Sequence, residues 1–168
     1  RLLSRGLGDV YKRQHLLTAH AHDVDVVAWY LPFWDTDGAD LERIVAMHDF
    51  EVLGERFDGV GVDIEWIGDA PDGPIDDDTR SARLLELSLQ VDAAIGTDPL
   101  AAIVPPPVQM EVVNPSFWPG FPWAEMAGSY DVWMPMSYWS FRSDSSGYGE
   151  GYTYHEESTR RLRNNVGD

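Results

Sequence analysis

The stretch that decides the fold is FDGVGVDIEW, residues 57–66. In a strand, successive side chains point to opposite faces. Val60, Val62 and Ile64 then form one face, branched and apolar throughout, suited to packing under helices. Gly59, Gly61, Asp63 and Glu65 form the other, which begins without side chains and ends in two acids. An apolar strand finishing in paired carboxylates at its C-terminal end resembles the inner face of a (β/α) barrel, where active sites sit.

Outward from this strand the chain alternates short apolar runs with helical periodicity. Residues 26–32 (VVAWYLP), 100–105 and 131–138 read as further strands; prolines close the first two, and Pro135 falls inside the last. Leu41, Ile44, Val45 and His48 fall on one helical face, and so do Leu84, Leu87, Val91 and Ile95. Asp37 or Asp40 is available to cap the first of these helices; the acids of residues 76–78 start the second and Gly96 ends it. A loop at 107–122, a short helix near Trp123 and a last helix from about His155 complete the pass. Strand–helix alternation at this spacing predicts an α/β fold with a parallel sheet. About four strands cannot close a barrel that needs eight βα units and about 250 residues. The expectation is a fragment of a (β/α)8 TIM barrel spanning residues 15–168, truncated at both ends. A small doubly wound domain is the alternative.

The first fourteen residues are set apart. They hold four of the twelve basic residues, including the only lysine, Lys12, and DVYKRQ resembles the translation of a sequencing-adapter end. Residues 1–14 are therefore expected to be non-native and are left out of the fold argument. The native N-terminus would then be missing, and with it any indication of compartment.

Composition excludes several functions. A formal charge of −17 argues against nucleic acid or an anionic membrane as partner. No apolar run reaches the length of about 18 residues that a spanning helix needs. There is no cysteine, so no disulfide and no thiolate metal site. His20 and His22 are spaced i, i+2 at a helix end, which does not place both on one helix face, and they read as solvated or capping. No phosphate-cradling glycine loop appears. The expected site needs no metal and no cofactor, nothing indicates a protein partner, and a neutral sugar fits the charge.

FDGVGVDIEW resembles the strand-four signature of chitinase-like glycoside hydrolases of family 18, D-G-x-D-x-D-x-E. Asp58 and Gly59 match its start, Asp63 its last aspartate and Glu65 its catalytic glutamate, while Gly61 stands where the middle aspartate belongs. Met136–Tyr138 is similar to that family's M-x-Y, with Trp139 in place of the aspartate that usually follows. WYLP, VDIE and PMSYW also resemble an uncharacterised bacterial glycosidase-like barrel family. The resemblance implies Glu65 as general acid, Asp63 as its partner, and Tyr138 hydrogen-bonding the reacting group. Because Gly61 removes an aspartate, acetamido-assisted and direct retaining or inverting mechanisms both stay open.

Cα atoms two residues apart on a strand lie about 6.5–7 Å apart, close enough for one carboxylate to raise the other's pKa. The competing structural reading is a salt bridge from these acids to Arg56 or Arg142. Trp34, Trp66, Trp118, Trp139 and Phe141 follow the strands or lie in their loops, where indole faces stack on sugars. With Met136, the four tryptophans are the expected substrate-binding residues. A non-catalytic sugar-binding barrel and a metal-dependent barrel hydrolase are the competing functions.

Overall fold

The computed structural model describes residues 2–34, 36–65 and 73–168, and for residues 2–9 the backbone alone. The acid-bearing strand, β4 (Gly59–Asp63), lies inside a four-stranded parallel sheet. Its neighbours are β1 (Val27–Tyr30) on one side and β5 (Leu100–Val104) on the other, with β6 (Val132–Pro135) beyond β5. All four strands lie inside the expected segments. Pro135 ends an edge strand, the place where a missing N–H does least harm.

Register determines which residues share a face. Val60 aligns with Ala28 and Leu100, and Val62 with Tyr30 and Ala102. This face meets α2 (Ala39–His48) and α3 (Asp77–Ile95), whose Ile44, Leu84, Leu87, Val91 and Ile95 join it in one buried core. The stripe expected on α3 is the stripe that is buried. Asp76 starts that helix, its carboxylate accepting the Thr79 N–H at 2.7 Å, and Gly96 ends it at φ 71°. The sequence between β5 and β6 holds a π-helical turn (Gln109–Val113) and the short α4 (Trp123–Met126). The last helix, α5 (Gly151–Val166), starts earlier than expected, because Glu150 caps it through the N–H groups of Tyr152 and Thr153.

The opposite face is bare. It carries Val27 and Trp29 from β1, Gly59, Gly61 and Asp63 from β4, Ala101 and Ile103 from β5, and Val132 and Met134 from β6. Val27, Trp29, Val132 and Met134 are 46–56% exposed, although parallel sheets ordinarily have both faces covered. The core-forming helices do not sandwich the sheet as a doubly wound domain would.

The two glycines of β4 differ in what surrounds them. A Cβ on Gly59 would stand 2.7 Å from the Pro99 carbonyl oxygen, a backbone atom that cannot easily move. A Cβ on Gly61 would meet the tip of Ile103 at 3.2 Å and Val27 at 3.5 Å. Gly59→Ala is therefore expected to destabilise by about 1–3 kcal/mol. Gly61→Ala should cost less, since a side-chain terminus can turn away. Equal midpoints for the two variants in urea unfolding would refute this.

Two features go beyond the expectation, which had a helix ending at Leu16, Leu17, Ala19 and Ala21 and no hairpin. Helix α1 runs unbroken over Leu2–His20, through the segment that composition sets apart. His20 at its end sits between Glu55 (2.6 Å) and Asp58 (3.0 Å), tying the helix to the sheet instead of being solvated. A two-residue hairpin, β2 (Glu51–Val52) with β3 (Glu55–Arg56), precedes β4. Its turn places Leu53 at φ 54° and Gly54 at φ 85°, the mirror-image turn that favours Asn-Gly; a leucine there hides the signal. Among the described residues, no helix is long and apolar enough to cross a membrane.

Candidate active site

Asp63 is the last residue of β4, on the bare face yet only 5% exposed, and its Oδ1 has no hydrogen-bond partner. Its pKa is pushed up to about 6, first by burial and then by the charge of Glu65, while hydrogen bonding from Trp29 works the other way. The expected influence of one acid's charge on the other is thus present in the upward shift of Asp63, which is buried. Strand geometry explains this: Asp63 is still inside the sheet, whereas Glu65 lies two residues past its end.

Neither acid closes against an arginine. Arg56 reaches the His48 carbonyl at 3.4 Å and Asp98 at 3.9 Å. Arg142 makes no salt bridge to Asp63 or Glu65, and no hydrogen bond or ion pair to a described residue occupies the Glu65 carboxylate. The Glu65 carbonyl is fixed, accepting the indole N–H of Trp34 at 3.2 Å.

Glu65 opens into a pocket of about 310 Å³ beyond the ends of β5 and β6. Met136 and Tyr138 line it too, so three of the expected residues meet there. The chain reaches them by curling after Pro135: the N–H groups of Ser137, Tyr138 and Trp139 each bond the carbonyl two residues back, at 2.8–2.9 Å. Tyr138 is 57% exposed and meets Phe141 edge-on, with ring centres 6.0 Å apart. Asp63 does not line this pocket. Three polar lining residues were not anticipated as site residues: Gln109, Arg142 and Tyr154. Arg142 was visible as an arginine just past a strand in an acid-rich chain. Gln109 and Tyr154 left no such mark, because they arrive from the π-helical turn and from α5.

The aromatic rim needs correcting. Trp34 and Trp118 are 3% and 2% exposed, so neither presents a ring to a sugar. Trp34 takes φ 60°, held by its N–H on the buried Asp40 carboxylate (2.8 Å) and its carbonyl on Arg83 (2.7 Å). Asp40, expected as a helix cap, also accepts the Tyr30 hydroxyl at 2.6 Å and the Phe33 N–H at 3.1 Å. Trp118 stands edge-on to Trp34 and Phe121, under the guanidinium of Arg80, which lies 4.0 Å from its ring centre. Both loops fold back over the core, which draws their largest apolar groups inward. Trp139 is 42% exposed and packs on Gly151, where a Cβ would stand 3.2 Å from the indole. Trp66 lies outside the described residues. Asp58 stays at the start of β4, where it accepts the Val26 N–H at 2.6 Å.

The Asp63 shift has a consequence for stability. Its folded pKa, about 6, lies above the ordinary 3.8, so between those values the folded state holds more protons than the unfolded one. Stability contributed here is complete below pH 3.8 and declines as pH rises toward 6. Asp63→Asn removes the decline. The variant should match the parent near pH 4 and exceed it in melting temperature at pH 7–8. A constant difference across that range would refute the assignment.

No protein-family model, curated protein or solved structure matches the chain. Among the described residues, no group of three or more His, Asp or Glu side chains is placed to hold a metal ion.

Proposed function

We propose that the sheet belongs to a (β/α)8 barrel and that the protein cleaves glycosidic bonds, with Glu65 as proton donor. The observation that carries this reading is the Glu65 carboxylate, without a partner among the described residues, in a pocket at the C-terminal end of parallel strands, with Tyr138 and Met136 beside it. The half-exposed apolar face and the open edges at β1 and β6 support the barrel, since further strands would cover both. In this reading Asp63 stands beside the acid as its partner, and Glu65 delivers a proton to the leaving oxygen. Tyr138 orients the reacting sugar from the pocket's outer wall.

A second reading has a specific observation in its favour. The space above Gly61, where the resembled family carries an aspartate, is taken by Ile103 and Val27. A barrel that binds sugar without cleaving it would tolerate that loss. Incubation with a panel of oligosaccharides, followed by detection of new reducing ends, separates the two. Cleavage abolished by Glu65→Gln supports the hydrolase. Binding without cleavage, unchanged in Glu65→Gln, supports the second reading.

A further inference from the structure

We propose that the pocket beside Glu65 takes a saccharide bearing a carboxylate, which Arg142 and Tyr154 grip; this rests on the glycosidase-like reading of the same pocket and narrows its substrate class. The chain is rich in acids, with 29 Asp and Glu against 12 Lys and Arg. Arg43, Arg56, Arg80, Arg160, Arg161 and Arg163 each stand within salt-bridge distance of a carboxylate. Among the described residues Arg142 has no such carboxylate, and its Nε is buried without a hydrogen-bond partner there. Tyr154 is 0% exposed and its hydroxyl also lacks a partner. The guanidinium lies beside that phenol and opposes the upward push that burial gives its pKa, though no hydrogen bond of normal geometry joins them. The side-chain oxygen of Gln109 is the third buried polar atom without a partner, and all three residues line the pocket that holds Glu65.

Buried polar atoms are costly unless satisfied, so three on residues that line one small pocket outline what it expects. Arg142 and Tyr154 offer donors, and one carries a full charge. Gln109 offers an acceptor. A carboxylate accepts from the first two, and a neighbouring hydroxyl donates to the third: the pattern of a hydroxy acid, and in a saccharide of a uronosyl unit. A neutral sugar could meet the donors with hydroxyls, but would leave the guanidinium without a counter-charge. The overall charge of −17 repels an anion at a distance. Screening limits that repulsion to about 8 Å at physiological salt, while a charge-assisted contact acts at hydrogen-bond range.

The test uses a galacturonate disaccharide and its methyl-esterified form, titrated calorimetrically into the protein at low and high salt. The acid form should bind at least about tenfold more tightly, an advantage worth about 1.4 kcal/mol. Added salt should shrink it and Arg142→Gln should remove it. Tyr154→Phe, which keeps the buried ring, should reduce the preference several-fold and serves if Arg142→Gln fails to fold. Equal binding of the two forms, or an unchanged preference in both variants, overturns the proposal and leaves the saccharide reading standing. Binding of neither form also overturns it, with neutral-saccharide hydrolysis then deciding the broader reading. Preference for the acid form without Glu65-dependent cleavage keeps this inference and removes the hydrolase.

Discussion

Glu65→Gln is expected to lower kcat on a cleaved saccharide by about 10²–10⁴-fold, the range a positioned general acid supplies. Affinity should change little, because the amide keeps the shape of the acid. Stability should hold as well. The carboxylate has no partner among the described residues, so its loss should shift unfolding by no more than about 0.5 kcal/mol, as at a surface position. Asp63→Asn separates from it in sign. Activity should fall and the limb near pH 6 in the pH profile should disappear, since Asp63 is the group raised to about 6. Stability above pH 6 should rise, on the order of 1–3 kcal/mol at about 1.36 kcal/mol per unit of relieved shift. A salt-bridged pair would show the reverse, losing stability with either substitution. Normal turnover in well-folded Glu65→Gln protein would remove Glu65 from the chemistry.

How much of this was legible in the sequence depends on the range of the interaction. The four strands were, because alternation within FDGVGVDIEW and the prolines after residues 26–31 and 100–104 are local signals. So was the meeting of Glu65, Met136 and Tyr138, since strands in a parallel sheet bring their C-terminal ends together. The hairpin before β4 was hidden by Leu53 at a positive φ. The raised pKa of Asp63 was also hidden, because it turns first on burial at the end of β4. The pocket's other polar residues come from α5 and the π-helical turn, whose docking is tertiary. The aromatics misled for a related reason. Position after a strand says that a tryptophan is in a loop; it does not say which way the loop folds.

Trp118 puts that last point to a test with a large expected effect. A sugar platform loses affinity when cut to alanine and leaves the fold intact, whereas a core residue does the opposite. Trp118 is 2% exposed, meets Trp34 and Phe121 edge-on, and its indole N–H donates to Ser81 at 3.0 Å. Removing it opens a cavity beside Trp34, loses that hydrogen bond and uncovers Arg80, which is itself 3% exposed. Trp118→Ala should therefore cost about 3–5 kcal/mol, a large share of the stability of most domains. Trp118→Phe restores the apolar bulk without the N–H and should recover more than half of that. Trp139, 42% exposed, is the contrasting case: its alanine variant should unfold within about 1 kcal/mol of the parent. Urea unfolding of the three variants, beside saccharide binding at a denaturant-free temperature well below each melt, distinguishes the roles. A stable Trp118→Ala protein with weakened sugar binding would return Trp118 to the rim and overturn its place in the core.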